Sequence, residues 1–114
     1  MEIRKELLPS ESLKSLFGDV TKIEFGKNYT DHMFWTEFNR EEGWKSPVIK
    51  PYQPLVLEPA TMMFHYSQAV FEGQKAYRSP KDEILLFRPI ENARRMNRSM
   101  ARMCMPEIPE ELFI

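Results

Sequence analysis

Apolar residues recur at three- and four-residue spacing in the last third of the chain, which predicts an amphipathic helix. Pro89 stands at its start, Glu91 lies in its first turn and Pro106 lies beyond its end. The apolar stripe consists of Ile90, Ala93, Met96, Met100 and Cys104. The opposite face carries four arginines, Arg94, Arg95, Arg98 and Arg102.

The segment from His65 to Arg78 changes its period at Gly73. Met63, Tyr66 and Val70 have helical spacing, whereas the residues after Gly73 alternate as in a strand. We predict a backbone bend at Gly73 that needs a positive φ or a close approach. Two interpretations are open: a wall of an active site, or an ordinary helix, turn and strand.

Strands are predicted in two further regions. Residues 21–37 are strand-like and predict two antiparallel strands, the first around Ile23 and Phe25, with residues 39–43 forming the next turn. Four prolines between residues 47 and 59 confine any strands there to edges or short pieces. Residues 75–78 and 84–87, joined by Ser-Pro-Lys-Asp, predict a hairpin.

Near the amino terminus, Ser10 or Ser12 could cap a short helix that Gly18 ends. We therefore expect residues 1–20 to form an arm and residues 21–114 a small α+β domain, with a mainly antiparallel sheet and packed helices. Pro109 begins another helix, and the chain ends where this helix would continue. We expect it to be a fragment of a longer protein.

The composition and the net charge limit the classes of protein to which the chain could belong. The chain has 114 residues, of which 42% are hydrophobic, enough for a globular core. Its net charge of −1 gives no overall field for nucleic acid or an anionic membrane. The charged amino terminus lacks a signal sequence, and no apolar run approaches the roughly 20 residues that span a bilayer. The default expectation is a cytoplasmic protein without nucleic-acid or membrane partners.

The candidate chemistry lies mostly on the arginine face. Arginines bind carboxylates and phosphates in two-point contacts, so this face could serve an anionic cofactor, a substrate, RNA or an acidic protein. The alternative is a solvated face paired with acids elsewhere in the chain. Lys75, beside Glu72, is expected to be an ion-pair or hydrogen-bond partner rather than a Schiff-base amine. Neither Cys nor His occurs at metal-ligand spacing, so no metal site is predicted.

Several motifs together resemble branched-chain amino acid aminotransferases, which are fold-type IV pyridoxal phosphate enzymes. The resemblance runs from about Phe25 to the end of the chain. Thr-Asp-His-Met and Lys-Ala-Tyr-Arg favour the branched-chain group, whereas Phe-Glu-Gly and Phe-Arg-Pro occur more widely in fold-type IV enzymes. Gln74 departs from the family, in which aliphatic residues are commoner there. The motifs are Phe25-Gly-Lys-Asn-Tyr-Thr-Asp-His-Met, Gly43-Trp44, His65-Tyr66, Val70-Phe-Glu-Gly-Gln-Lys-Ala-Tyr-Arg and Leu86-Phe-Arg-Pro-Ile-Glu-Asn-Ala-Arg-Arg-Met.

The resemblance implies an amino-terminal domain that covers a pyridoxal 5'-phosphate site built largely by an absent carboxy-terminal domain, which would supply the Schiff-base lysine. Arg95 would bind the cofactor phosphate, and Phe25, Tyr66 and Phe71 would line the substrate pocket. The whole enzyme, a homodimer, would transfer the amino group of leucine, isoleucine or valine to 2-oxoglutarate. The fragment, without a catalytic residue, would be inactive alone. The alternative is a free-standing binding module whose arginine face docks an acidic protein or RNA.

Overall fold

The computed structural model describes residues 1–114, which divide into two units, Met1–Val56 and Leu57–Ile114. The first unit contains β1 (Arg4–Lys5), β2 (His32–Asn39) and β3 (Gly43–Pro51). The second contains α1 (Met62–Tyr66), β4 (Ala76–Arg78), β5 (Ile84–Leu86), α2 (Pro89–Arg102) and α3 (Glu110–Phe113). The predicted α+β class, with mainly antiparallel strands, is confirmed.

The sheet of the first unit is built around β3, which pairs with β2 antiparallel and with β1 in parallel. The predicted turn at residues 39–43 connects β2 to β3. In this turn the Asn39 side chain accepts hydrogen bonds from the backbone N–H groups of Glu41 and Glu42. Gly43 has a φ of 73°, which residues with a side chain rarely adopt. The predicted turn is therefore confirmed.

The prolines do not confine β3 to an edge, so that prediction is wrong. β3 has nine residues and lies in the middle of the sheet. Its register against β2 shifts between Trp35 and Glu37, and Ser46, in the bulged part of β3, has a positive φ of 52°. A β-bulge leaves a residue outside the ladder, so Pro47, which has no N–H to donate, is accommodated there.

Two elements predicted before residue 30 are wrong. Residues 23–26 form no strand, because the N–H of Lys27 bonds to the carbonyl of Glu24 and Gly26 takes a φ of 73°. The helix expected to end at Gly18 is reduced to a single 3-10 turn at Ser10–Ser12. The backbone N–H of Lys14 is instead donated to Asp31 Oδ1 at 3.2 Å.

Residues 1–20 are attached to the rest of the first unit at several points. The N–H of Leu8 donates to His32 Nε2 at 3.0 Å, and Lys14 Nζ donates to the carbonyl of Tyr29 at 3.0 Å. In addition, β1 pairs with Val48 and Ile49 of β3. The description of residues 1–20 as an arm, separate from a domain at residues 21–114, stays a prediction.

In the second unit the hairpin and the long helix are confirmed. β4 and β5 pair antiparallel, and α2 carries the arginine face and the apolar stripe from Ile90 to Met100. The inclusion of Cys104 in this stripe is wrong, because α2 ends at Arg102 and Cys104 is exposed with a positive φ of 54°.

The prediction of a bend at Gly73 is wrong. The residue with a left-handed conformation is Ser67, which ends α1 with a φ of 51°. Gly73 has no positive φ, and a Cβ added there would meet no atom within 4 Å.

The buried core is small for a chain of this composition. Its hydrophobic residues are Val48 in the first unit and Ala93, Met100, Ile108 and Leu112 in the second. The last four lie where α2 packs against α3. Most other large apolar side chains, including Leu16, Val56 and Phe87, are exposed. No helix combines the length and the apolar character that crossing a membrane requires.

Candidate functional site

The carboxylate of Glu72 is the centre of a hydrogen-bonded cluster in the second unit. Glu72 Oε2 accepts from Arg95 Nε at 2.8 Å, and Oε1 accepts from Arg95 Nη2. Oε1 also accepts from Asn92 Nδ2 at 3.0 Å and from the backbone N–H of Gly73 at 3.1 Å. We call Glu72, Gly73, Asn92 and Arg95 the Glu72 cluster.

The helical repeat of α2 creates this cluster. Asn92 and Arg95 are three residues apart, so they lie on the same face of the helix. Asn92 Nδ2 also donates a hydrogen bond to the backbone carbonyl of Gly73 at 2.9 Å. The Phe-Glu-Gly segment is therefore attached to α2 through the side chain of Glu72 and through the backbone of Gly73.

The environment of Glu72 keeps its carboxylate ionised. The hydrogen bonds from Arg95, followed by that from Asn92, lower the pKa of Glu72 to about 2. Its side chain is only 4% exposed, and both oxygens already accept hydrogen bonds. A carboxylate with so low a pKa and with occupied acceptor sites is poorly suited to act as a general acid or base.

This low pKa predicts a specific loss of stability in acid. A folded-state pKa below the ordinary value of 4.5 means that Glu72 stabilises the fold above about pH 4.5 and loses this contribution as the pH falls towards 2. The free energy of unfolding, measured by urea at several pH values, should decline less steeply over this range in Glu72→Gln. Identical pH profiles for both chains would contradict the assignment, as would a Glu72 carboxyl that titrates near 4.5 by NMR.

Glu72 binds Arg95 but accepts hydrogen bonds from only some of its N–H groups. Its Nε and one of its two terminal nitrogens contact Glu72, and its side chain is 60% exposed. Nη1 makes no hydrogen bond within the chain. Because a guanidinium has five N–H donors in one plane, Arg95 retains donors for an anion. This donor set fits a phosphate group.

The other arginines of α2 have different surroundings. Arg94 pairs with Glu110 through Nε at 3.2 Å and with Glu91 through Nη1 at 3.1 Å, and these contacts, first the one with Glu110, raise the pKa of Arg94. Arg98 and Arg102 form no ion pair within the chain. Arg94 and Arg95 are therefore paired with acids, as one interpretation of this face required.

The three predicted substrate residues are highly exposed. Phe25 lies in the first unit and is fully exposed. In the second unit, Tyr66 is the last residue of α1 and is 73% exposed, and Phe71, next to Glu72 in the chain, is 92% exposed. None of the three stacks on another aromatic ring. Their role in a substrate pocket stays a prediction.

The expectation that Lys75 is an ion-pair or hydrogen-bond partner is wrong, because its side chain forms neither contact within the chain. Glu72 contacts Arg95, Asn92 and Gly73, and forms no ion pair with Lys75. Sequence reasoning missed Asn92, although its position one turn before Arg95 was the available signal.

His65 Nε2 lies 2.8 Å from the carbonyl oxygen of Pro59, a contact typical of a structural histidine. No group of three or more His, Cys, Asp or Glu side chains is placed to hold a metal ion.

Comparison with known proteins extends the resemblance. No protein-family model matches the chain. The chain is 48% identical over 109 residues to branched-chain-amino-acid aminotransferase 2 of Bacillus subtilis, a match covering 96% of this chain and 29% of that protein. It is 50% identical over 94 residues to the cytosolic branched-chain-amino-acid aminotransferase of Saccharomyces cerevisiae, covering 82% of this chain and 25% of that protein. The chain thus spans less than a third of the length of these relatives.

An α+β chain with this degree of identity over nearly its whole length is homologous to part of an aminotransferase. More particularly, it is homologous to the branched-chain amino acid aminotransferases, and the resemblance predicted from the motifs is confirmed. The match covers 109 residues, so it begins earlier than the predicted start at Phe25. Neither the structure nor these matches support the alternative of a free-standing binding module.

Proposed function

We propose that this chain is the amino-terminal part of a cytoplasmic, pyridoxal phosphate-dependent enzyme that transfers the amino group of leucine, isoleucine or valine to 2-oxoglutarate. The observation that carries the proposal is the 48% identity to a branched-chain aminotransferase over 96% of the chain. Within this enzyme, residues 1–20 are an arm and residues 21–114 belong to the small domain. The chain contains no catalytic residue of its own.

Arg95 is the residue through which this chain would hold the cofactor phosphate. Its guanidinium is exposed, oriented by Glu72 and retains N–H donors, and an arginine fork matches the oxygens of a phosphate. When bound, pyridoxal phosphate supplies the electron sink for amino-group transfer. The contribution of Arg95 is to bind and orient the cofactor.

Phe25, Tyr66 and Phe71 would line the pocket for the branched side chain of the substrate. Aromatic walls suit such a side chain, since burying apolar surface yields about 25 cal/mol per Å² without requiring hydrogen bonds. Support comes from the exposure of all three rings, which leaves their surfaces available for such contacts.

The carboxy-terminal domain of the same protein and a second subunit would cover the remaining apolar surface. Support comes from the many large apolar side chains that are exposed, including Leu16, Val56 and Phe87, because covering apolar surface is favourable. The cytoplasmic location is supported by the yeast relative described as cytosolic, although another yeast relative is described as mitochondrial.

A hybrid enzyme tests the proposed function directly. In this hybrid, the chain replaces the stretch that it matches in the Bacillus subtilis aminotransferase 2. We expect the purified hybrid to transfer the amino group of leucine to 2-oxoglutarate, whereas the 114-residue chain alone should not. A hybrid that unfolds cooperatively on heating, and is therefore folded, but has no transaminase activity would contradict the proposal.

The chain alone should also form no specific covalent adduct with pyridoxal phosphate. We expect borohydride reduction of the mixture to label Lys75 no more than Lys81, an exposed lysine in the loop of the β4–β5 hairpin. Peptide mapping by mass spectrometry would measure both positions. Stoichiometric labelling of Lys75 alone would mean that this chain itself holds the Schiff-base amine.

A further inference from the structure

We propose that Glu72 is a positioning residue, which fixes the guanidinium of Arg95 in one plane so that its remaining N–H groups face the cofactor phosphate. This inference rests on the proposed function, because it assumes that Arg95 binds that phosphate. Glu72 itself would touch neither substrate nor cofactor. It would act only through Arg95.

Two contacts make Glu72 suited to this task. Its two oxygens bind Nε and Nη2, so the guanidinium is held at two points and cannot rotate freely about its last side-chain bonds. Glu72 is itself anchored by Asn92 and by the backbone N–H of Gly73. Because the guanidinium is planar, Nη1 of Arg95 lies on the side away from the Glu72 carboxylate, which binds Nε and Nη2.

Glu72 differs from the acid that pairs with the neighbouring arginine. Glu110 contacts Arg94 through one nitrogen, and its side chain is 43% exposed, whereas the Glu72 side chain is almost completely covered. A covered carboxylate with four hydrogen bonds has little freedom to move. Glu110, which lies in α3, therefore provides a matched control, because it pairs with a neighbouring arginine of α2.

Charge and positioning predict opposite effects of removing the Glu72 carboxylate. If the acid acted only through its charge, Glu72→Gln would remove a negative charge beside Arg95 and strengthen the attraction for phosphate. If the acid orients Arg95, the same change would free a long side chain that must be ordered again on binding. Ordering such a side chain weakens binding by about 2- to 10-fold. The sign of the change thus separates the two roles.

The test is the binding of pyridoxal phosphate to the hybrid enzyme at fixed ionic strength, measured by the absorbance of the cofactor, together with the NMR signal of Arg95 Nε–Hε in the cofactor-free hybrid. We expect Glu72→Gln to weaken binding about 2- to 10-fold and Glu110→Gln to leave it unchanged. In the free protein, Glu72→Gln should increase the fast motion of Arg95 Nε–Hε and not that of Arg94. If Glu72→Gln does not fold, the same measurements are made on Glu72→Asp. The shorter aspartate side chain keeps the negative charge but cannot reach both Nε and Nη2 of Arg95 well.

The outcomes separate this inference from the proposed function. Unchanged or tighter binding in Glu72→Gln, or in Glu72→Asp where that variant decides, overturns the positioning role. If Arg95→Ala still weakens binding in that case, the phosphate-binding role of Arg95 survives. No loss of binding in Arg95→Ala overturns both. Equal loss from Glu72→Gln and Glu110→Gln also overturns the positioning role, because it would reflect a general effect of altering the ion pairs of α2.

Discussion

Replacing Arg95 by alanine in the hybrid enzyme is expected to weaken the binding of pyridoxal phosphate about 10- to 100-fold. A charge-assisted hydrogen bond to an anionic acceptor contributes roughly 1.5–3 kcal/mol, and each factor of ten in affinity corresponds to about 1.4 kcal/mol. Arg95→Lys should recover part of the loss, because an ammonium keeps the charge but lacks the planar fork. The dissociation of the cofactor, followed by its absorbance at fixed ionic strength, measures this.

Arg98→Ala is the matched control for Arg95→Ala. Arg98 lies three residues further along α2 and, unlike Arg95, has no acidic partner that orients it. We expect its removal to change cofactor dissociation little. Equal losses from the two alanine variants would show that the helix acts as a diffuse positive field, and the specific role of Arg95 would be withdrawn. Thermal unfolding should be measured for each variant, since Arg95→Ala leaves the covered Glu72 carboxylate without its cation.

Replacing Phe71 by alanine should lower kcat/KM of the hybrid enzyme for leucine and isoleucine. The expected loss is about 1.5–3 kcal/mol at most, the contribution of one large apolar side chain that becomes buried. Because Phe71 is almost fully exposed in this chain, its removal should cost little stability. The measurement is steady-state kinetics with both substrates, compared with unfolding of the same variant.

Phe87→Ala is the control for Phe71→Ala. Phe87 is also a largely exposed phenylalanine of the second unit, and no role in the substrate pocket is proposed for it. We expect Phe87→Ala to leave the preference among amino acid substrates unchanged. Unchanged kcat/KM for leucine and isoleucine in Phe71→Ala would remove Phe71 from the pocket. Equal losses in both phenylalanine variants would indicate a general loss of packing.

Local sequence patterns were sufficient for the elements whose hydrogen bonds are also local. The apolar repeat from Ile90 to Met100, with proline at the first helical position, specified α2. The hairpin of β4 and β5 followed from two short strand-like segments around a turn of favourable composition. In both cases the partner of each backbone group lies at most about ten residues away along the chain, so the local pattern determines the pairing.

Other segments depended on partners distant in the chain. Leu13 to Phe17 have helical spacing, yet the N–H of Lys14 bonds to Asp31, seventeen residues away. Pro47 disfavours a central strand, yet the bulge opposite Thr36 accommodates it. Ser67, rather than the more permissive Gly73, takes the left-handed conformation that ends α1. Tertiary structure overrode local preference at each of these positions.

For the candidate site, the motifs of the sequence by themselves indicated the resemblance to branched-chain aminotransferases, and the apolar repeat placed Arg95 on the polar face of an amphipathic helix. Only the tertiary structure decided that Glu72 is the partner of Arg95, since 23 residues separate them and Lys75 was the nearer cation. The physical reason is that ion pairs depend on distance in space and on available donors. The helical face of Asn92 and Arg95 supplies those donors together, whereas a pattern along the chain records only distance in sequence.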